Sequence, residues 1–239
     1  ANSGRCDDGS STYLTRTFQA SNRRTYTFSA WVKKSDITST YQYLFDCDNG
    51  SSQSENPINL NSNKFTFAIW NSDTSSSAFT VTINRLLRDT NAWYHLVCAV
   101  DTTQATASNR IKVYVNGVQE TSLATANYPS QNYDTAINTA NVHSIGRWQD
   151  GGGRYFGGYM AEVCFIDGTQ YAASDFGEFD SDSPTIWKPI DVSGLTFGDN
   201  GIYLSFSDSA DLGADSSGNS NDLTETNLAA TDQATDTPT

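Results

Sequence analysis

The stretch WYHLVCAVDTTQATASNRIKVYVNGVQ, residues 93–119, contains two apolar segments separated by a polar insert. Within both segments, apolar residues recur at the period of two that is typical of a β-strand. The second segment leads directly into Asn116-Gly117, a pair that accepts the positive φ angles of a type I′ turn. The sequence therefore predicts a hairpin in which Val113 to Val115 pair with the residues from Val118 onward, and it predicts a scaffold role for that hairpin.

Five further segments show the same enrichment in aromatic and β-branched residues between turn-forming residues. They are TYTFSAWVKKS (25–35), KFTFAIWNS (64–72), AFTVTIN (78–84), YMAEVCFIDG (159–168) and GIYLSFSD (201–208). The one helical candidate is AASDFGEF (172–179), where Ser174 would cap a single short turn. Strands without alternating helices predict an all-β antiparallel sandwich or barrel.

Acidic residues dominate the charge of the chain, with 27 Asp and Glu against 14 Lys and Arg among 239 residues. A surface of this sign repels phosphate groups, which argues against nucleic acid and against anionic membranes as partners. In the sequence, no apolar run approaches the ~18 residues that a membrane-spanning helix needs. We expect a soluble protein with one large domain, because all-β sandwiches of ~200–250 residues often form a single domain.

The four cysteines are scattered along the chain and form no CxxC pair, so they suggest neither a zinc site nor a disulfide framework. Cys98 and Cys164 lie within strand-like segments, where an unpaired cysteine behaves as a small hydrophobic residue. A Cys98–Cys164 bridge stays open at this stage, because it requires the two strands to be neighbours.

Three segments, YTFSAWVKKS (26–35), residues 93–119, and HSIGRWQDGGGRYFGGYMAEVCFIDG (143–168), follow one another in a recognisable order. This order resembles the laminin G-like and pentraxin-like branch of the concanavalin A-like lectin/glucanase superfamily. The resemblance implies a jelly-roll β-sandwich of two antiparallel sheets. It also implies a structural role for Glu162, since this position is commonly Glu in that branch.

The resemblance covers roughly residues 12–224, which are predicted to form the jelly-roll domain, with residues 1–11 as an N-terminal arm. Residues 225–239 contain few apolar side chains and are predicted to form a polar arm or linker. More narrowly, YLTRTF (13–18), YPSQNYDTAIN (128–138) and the segment from Asp211 onward are similar to domains in structural proteins of tailed bacteriophages.

Glu178, Asp180 and Asp182 have the spacing of the carboxylates that alternate along one strand in glucanases of the superfamily. Their segment lacks the apolar residues of a central strand and is followed by Ser-Pro, so we favour a solvated acidic loop. His95 lies within a strand, and His143 has no nucleophile elbow nearby. The chain is therefore predicted not to be an enzyme.

Domains of the laminin G-like and pentraxin-like branch often hold calcium at one rim of the sandwich, so the resemblance implies calcium as a candidate cofactor. The candidate ligands are Asp215, Asn219 and Asp222 in DSSGNSND and, as a weaker set, Asp46, Asp48 and Asn49 in FDCDNGS. Asx-rich turns also occur in β-proteins without metal, because their side chains bond to nearby backbone groups. Both interpretations stay open.

Glycan recognition needs exposed aromatic rings that stack on sugars and polar groups that bind hydroxyls. Trp148 and Tyr155 flank the glycine-rich segment between them, and Tyr128, Asn132 and Tyr133 lie in the loop ANYPSQNYDTAIN (126–138). We predict these five residues as ligand-binding residues.

Three functional hypotheses follow. The preferred one is a non-catalytic adhesion module on a bacteriophage virion surface, which binds a host cell-surface glycan and associates with other virion proteins and with copies of itself. One alternative is a purely structural decoration of capsid or tail, and the other is a glycan hydrolase or lyase of the same superfamily. The position of the chain on an intact particle would discriminate among them.

Overall fold

The computed structural model describes residues 2–47, 57–71, 76–149 and 153–238, except for the side chains of residues 70, 71, 76 and 77. Asp48 and Asn49 of the weaker calcium set lie outside the described residues. The described chain forms strands joined by turns and short 3₁₀ segments. The strands are β1 Ser3–Cys6, β2 Tyr13–Thr17, β3 Thr25–Lys34, β4 Tyr41–Cys47, β5 Ile58–Asn61, β6 Lys64–Asn71, β7 Ser76–Ile83, β8 Tyr94–Asp101, β9 Ile111–Val115, β10 Val118–Gln119, β11 Leu123–Asn127, β12 Val142–Ile145, β13 Gly158–Asp167, β14 Gly177–Phe179, β15 Trp187–Pro189, β16 Ile202–Leu204, β17 Thr224–Thr226 and β18 Gln233–Ala234.

Two large antiparallel sheets contain most of these strands. Sheet A has the order β10-β9-β8-β3-β13-β1-β18, and β16 also pairs with β13. Sheet B has the order β11-β7-β6-β5-β4-β12-β2-β17, and β14 pairs with β15 in a separate small sheet. This architecture confirms the prediction of an all-β antiparallel jelly-roll sandwich. Within the described residues, no helix has the length and apolar character needed to cross a membrane.

The main core lies between the two sheets, because the long strands alternate inward and outward side chains. In β3 of sheet A, Phe28 and Val32 are fully buried in this core. In sheet B, Phe65 and Phe67 of β6 belong to the same buried cluster. The aromatic and β-branched residues that predicted the strands therefore also fill the space between the sheets.

The opposite face of sheet A is buried as well. Trp31 and Cys164 lie on this face and belong to a second apolar cluster, which also contains Phe176 and Trp187. The latter two come from the chain between β13 and β16, which folds back over the sheet. Sheet A is thus covered on both faces.

The outer face of sheet B carries polar side chains. The strand registers place one row of residues across five neighbouring strands. The row consists of Thr125, Thr82, Thr66, Asn59 and Tyr43. Within this row, Thr66, Asn59 and Tyr43 are buried, so the positions on β7 and β11 are the ones that reach solvent.

A β-bulge in β13 keeps both faces of sheet A apolar. Ala161 faces the outer cluster, Glu162 is the extra residue at φ 49°, and Val163 returns to the main core. Without an extra residue, the period of two would turn Val163 outward. The hydroxyl of Tyr203 donates a hydrogen bond to the Glu162 carboxylate, and burial raises the pKa of Glu162. These contacts agree with the structural role expected for this residue.

The hairpin predicted at Asn116-Gly117 is confirmed. Asn116 has φ 49° and Gly117 has φ 79°, and the register pairs Val115 with Val118. The predicted helical turn is a short 3₁₀ segment, Ala173–Asp175. Ser174 is not its cap: the residue before the segment is Ala172, whose amide donates to the carboxylate of Asp175 at 2.8 Å.

The two terminal segments differ from the arms that the sequence predicted. In sheet A, β1 from residues 1–11 lies between β13 and β18, and β18 from residues 225–239 pairs with β1. The ion pair between Arg5 and Asp232, at 2.7 Å, joins the same two segments. The prediction of two arms relied on the low apolar content of these segments. They are held in place mainly by backbone pairing and polar contacts, and such contacts do not require apolar side chains.

All four cysteines are free thiols, and the open question of a bridge is answered by topology. The strands that carry Cys98 and Cys164 lie on either side of β3. Two strand spacings amount to about 10 Å, which exceeds the Cα separation that a disulfide spans. In addition, Cys98 lies in the main core and Cys164 in the outer cluster, on opposite faces of sheet A.

Candidate functional site

A short hairpin extends from the end of β12 and carries two of the predicted ligand residues. We call it the arginine–aromatic arm, residues 146–149 and 153–156. Arg147 is bridged to Tyr155 across the hairpin, and the amide of Trp148 donates to the carbonyl of Arg154 at 3.2 Å. Gly146 has φ 86°, so the chain can leave the direction of β12 at this residue.

One half of the arm contains Trp148. The guanidinium carbon of Arg154 lies 4.2 Å from the centre of the Trp148 ring and 4.8 Å from the centre of the Tyr41 ring. One terminal nitrogen, Nη1, donates to the Tyr43 hydroxyl at 3.1 Å. Contacts of this kind hold a guanidinium group in place without neutralising its charge.

The other half of the arm contains Tyr155. Its ring stacks on Tyr13 at 6.2 Å between centroids, and the guanidinium carbon of Arg147 lies 3.9 Å from the centre of the Tyr13 ring. Arg147 also donates to the Gln149 side chain at 3.1 Å. Trp148 and Tyr155 therefore belong to two neighbouring ring–guanidinium sets on the same arm.

The remaining predicted ligand residues lie at the opposite end of the sandwich. The amide of Asn132 donates to the carbonyl of Thr102, directly after β8, whereas the arm adjoins the other end, where the amide of Ser35 donates to Gly157. The ten residues of β3 run between these two ends and span about 30 Å. One small glycan cannot contact both sets, so the five predicted residues do not form a single site.

Tyr128 and Tyr133 mainly pack against the core. Both are partly buried, and the ring of Tyr133 meets Phe79 edge-on at 5.8 Å. Burial raises the pKa of both tyrosines. Asn132 is exposed at φ 61° and shapes the turn between them. These contacts favour a packing role for the two rings.

Tyr128 also lines a cleft of about 200 Å³ at the side edge of the sandwich, between β9 and β11. Apolar Val113 and Leu123 form part of its wall, together with Glu120, which is paired with Arg85 at 2.9 Å. The cleft is smaller than the roughly 300–1,000 Å³ that is usual for ligand pockets. It is therefore a weaker candidate site than the arm.

The predicted calcium ligands form a network of hydrogen bonds within their own loop and with residues 198–203. Asp222 accepts from the amide of Asp215 at 2.9 Å, and Asn219 donates to two backbone carbonyls. Asp215 accepts four hydrogen bonds, from the amides of Tyr203, Ser217 and Asn221 and from the hydroxyl of Ser217. Across the described chain, no group of three His, Cys, Asp or Glu side chains could hold a metal ion. The geometry is that of an Asx-rich turn, and calcium binding stays a prediction that melting with and without a chelator would test.

The carboxylates considered for catalysis are tied to a lysine. Glu178 and Asp180 form ion pairs with Lys188 at 3.4 and 3.1 Å, on the small β14–β15 sheet. Hydrogen bonding to Lys188 lowers the pKa of Asp180, and its carboxylate also accepts the amides of Asp182 and Ser183. This arrangement supports a solvated acidic loop.

Both histidines are buried. His95 Nε2 lies 2.8 Å from the Ser29 hydroxyl, and Trp187 donates to His95 Nδ1 at 3.0 Å. His143 stacks on Phe18 with 3.8 Å between ring centres. A serine and a histidine are thus hydrogen-bonded, but they are sealed inside the protein, where a substrate cannot reach them.

Sequence reasoning missed the arginines of the arm and the tyrosines of neighbouring strands that contact them. A local signal was present, because Arg147 directly precedes Trp148 and Arg154 directly precedes Tyr155. Tyr13 and Tyr41 carried no such signal, since they come from distant parts of the chain.

A family model described as the concanavalin A-like lectin/glucanases superfamily, of laminin G type, matches residues 7–173. The chain belongs to this superfamily. The match includes most strands of both sheets and the whole arm, although not the C-terminal strands of the domain. No curated protein is detectably similar to this superfamily member in sequence.

Two solved structures illustrate the superfamily fold. A protein from Bacteroides ovatus ATCC 8483, named a "putative carbohydrate binding protein", has a TM-score of 0.60 and 14% identity over 94% of this chain and 57% of that chain. Domains LG4-5 of the mouse laminin α1 chain have a TM-score of 0.50 and 14% identity over 71% of this chain and 43% of that chain. At such identities the likeness shows the fold alone, and this chain spans less than two thirds of either structure.

Proposed function

We propose that this chain is a non-catalytic domain that binds a host cell-surface glycan from the surface of a bacteriophage virion. The observation that carries the glycan-binding part is the arginine–aromatic arm, where three aromatic rings contact two guanidinium groups and a fourth ring stacks on one of the three. Aromatic faces stack on sugar rings, and guanidinium groups donate hydrogen bonds to sugar oxygens. Because the rings and guanidinium groups of the arm already hold one another in place, they lose little conformational freedom when a ligand binds.

The position of the arm favours this assignment. The outer face of sheet A is covered by the chain between β13 and β16, so that face is not available to a ligand. The arm lies beside the polar side of sheet B, next to Tyr41, whose side chain is 37% exposed. Loops on a rigid sandwich can vary without disturbing the core, which is why they commonly carry binding residues.

A non-catalytic role is supported by two observations. Two of the three carboxylates with glucanase-like spacing, Glu178 and Asp180, are paired with Lys188, and both histidines are buried. The name of the Bacteroides ovatus protein is consistent with sugar binding on this fold. Binding without turnover is the function that fits these features best.

The virion setting is the expectation drawn from the resemblance of residues 13–18, 128–138 and the segment from Asp211 onward to domains in structural proteins of tailed bacteriophages. Stacking on aromatic rings tolerates many sugars, so we expect weak binding by a single domain. Several copies on one particle would raise the apparent affinity through avidity. Other virion proteins and further copies of this chain are the expected partners.

A structural role on the virion is the second candidate, and one surface feature favours it. Val118, Phe179 and Ile186 are each exposed by 45% or more. Phe179 contacts the Trp187 ring, and Ile186 directly precedes Trp187. Val118 directly follows Gly117, whose backbone lies against the same ring. A small apolar patch of this kind suits contact with another protein subunit.

The test is a binding assay with a multimerised form of the chain on glycan arrays and on host cells. We expect Trp148→Ala and Tyr41→Ala to weaken binding, because each removes a ring from the arm. Tyr128→Ala and Tyr133→Ala serve as matched controls at the other end of the sandwich and should bind as the wild type does, provided that melting shows they are folded.

Three outcomes separate the candidates. Loss in the arm variants with unchanged melting would support glycan binding at the arm. Loss only in the Tyr128 or Tyr133 variant would move the site to the opposite end. No binding to any glycan or host surface would favour the structural role.

A further inference from the structure

In the part of the chain that the structure describes, the two arginines of the arm are the arginines that lie against aromatic rings. Arg5, Arg24 and Arg85 each form an ion pair with a carboxylate, at distances of 2.6–2.9 Å. Within the described residues, neither Arg147 nor Arg154 lies within ion-pair distance of a carboxylate; both lie against aromatic rings instead. Because the chain has a net charge of −13, these two ring-bound cations lie in a protein of predominantly negative charge.

Arg154 is held in a defined orientation. Trp148 and Tyr41 contact its guanidinium group, and its one hydrogen bond within the described residues goes from Nη1 to the Tyr43 hydroxyl. A guanidinium group has five N–H donors, so four remain for another partner. The planar fork of these donors matches the two oxygens of a carboxylate or a sulfate.

Arg147 and Trp148 provide a second observation in the same place. Nε of Arg147 and Nε1 of Trp148 are buried without a hydrogen-bond partner among the described residues. Buried donors of this kind are rarely left unpaired in a folded protein, because each loses its hydrogen bonds to water. Over the described ranges, the arm therefore contains two buried donors that lack a hydrogen-bond partner, close to two positive charges.

We infer that the arm recognises the acidic group of an anionic sugar, with Arg154 as the main ligand to its carboxylate or sulfate oxygens. This inference rests on the proposed glycan-binding function and narrows it to one ligand class. The aromatic rings orient Arg154, and Arg147 adds positive charge to a protein surface that otherwise repels anions. A neutral sugar would stack on the aromatic rings and form hydrogen bonds through its hydroxyl groups, but it would form no ion pair with Arg154.

The experiment compares three polymers as probes: polygalacturonate, which carries carboxylates, dextran sulfate, which carries sulfates, and neutral dextran. Each is titrated against the wild-type chain at low and at high salt. We expect binding to at least one acidic polymer to exceed binding to dextran and to weaken as salt rises, because salt screens exposed charges. The polygalacturonate and dextran sulfate titrations distinguish a carboxylate from a sulfate.

Variants test the role of Arg154. Arg154→Gln should weaken binding to the acidic polymer about tenfold or more, as the loss of a charge-assisted hydrogen bond does. Arg154→Lys keeps the charge without the planar fork and should give an intermediate affinity. Arg24→Gln is the matched control, since it removes an exposed arginine at the other end of the sandwich, and it should bind as the wild type does.

The outcomes separate this inference from the proposed function. If the neutral and acidic polymers bind equally, if neither acidic polymer binds, or if Arg154→Gln binds normally, the inference is overturned. The glycan-binding proposal itself fails only if the arrays and host cells also show no binding. Should Arg154→Gln fail to fold, Arg147→Gln and the salt dependence of the wild type decide the question by the same criteria.

Discussion

At the scale of single residues, burial determines the chemistry of the two histidines. Burial lowers the pKa of both His95 and His143 to about 3, so both rings are neutral in the folded protein at neutral pH. The Trp187 indole donates to Nδ1 of His95, which places the ring proton on Nε2, next to the Ser29 hydroxyl. Protonation of Nδ1 would break this contact.

We predict that the protein begins to lose stability as the pH falls below about 6.5, which is above the range in which most carboxylates titrate. In the unfolded chain, a histidine takes up a proton below its ordinary pKa of 6.5, whereas the folded protein resists protonation down to about pH 3. Stability is therefore present above pH 6.5 and is lost as pH falls toward 3. At pH 4.5 the loss is about 3 kcal/mol for each histidine.

The measurement is urea unfolding at pH 7 and pH 4.5. Between pH 7 and pH 4.5, the free energy of unfolding should fall by about 3 kcal/mol less in His95→Gln than in the wild type, because the variant lacks one of the two titrating rings. Equal losses in the two proteins would show that His95 does not resist protonation.

At the scale of elements, the hairpin between β9 and β10 shows how a local turn is constrained by a distant contact. Gly117 meets the φ requirement of the turn, as the sequence predicted. A methyl group added at Gly117 would also lie 2.4 Å from the Trp187 ring. Trp187 is itself held by His95 and Phe179, so it cannot easily move aside.

We expect Gly117→Ala to destabilise the protein by about 2–5 kcal/mol, from the positive φ angle together with the overlap on Trp187. Gly168→Ala is the matched control, since Gly168 has φ 90° with no heavy atom within 4 Å of an added methyl group. The free energy of unfolding of Gly168→Ala should fall by only about 1–2 kcal/mol, which is the cost of the positive φ angle alone. Thermal melting of both variants measures the difference, and equal losses would mean that Trp187 does not constrain the turn.

At the scale of the whole molecule, the two ends of the chain close sheet A together. Asp232 bonds to Arg5, and Asp236 bonds to both Lys33 and Trp93. In the first ion pair the side chain of Asp232 is 8% exposed and that of Arg5 is 49% exposed. In the second, those of Asp236 and Lys33 are 45% and 21% exposed, so each pair has one partner that is largely shielded from water. The segment predicted as an arm thus supports strands from three other parts of the domain.

We predict that a chain ending at residue 227 melts several degrees lower than the full chain, because it loses β18 and leaves Arg5 without its partner. Breaking a charged hydrogen bond of this kind costs about 1–3 kcal/mol, and each kcal/mol shifts the melting temperature of a domain this size by about 2–4 °C. An unchanged melting temperature would restore the prediction of a polar arm.

The sequence by itself determined the fold class, the hairpin at Asn116-Gly117 and most of the long strands. These features depend on neighbours in the chain: a period of two in apolar residues, and residues that accept positive φ angles. The resemblance of three segments, in their order along the chain, to the superfamily also predicted the jelly-roll arrangement. Trp148 and Tyr155 could also be predicted as surface rings, because glycines surround them.

Only the tertiary structure decided which of these residues lie together. Tyr13 and Tyr41 join Arg147 and Arg154 because β2, β12 and β4 are neighbours in sheet B, although they are far apart in sequence. The same topology places the Tyr128–Tyr133 loop at the other end of the sandwich and leaves Cys98 and Cys164 on opposite faces of sheet A. Residue type and local pattern carry no information on such pairings, because strand order is set by packing across the whole core.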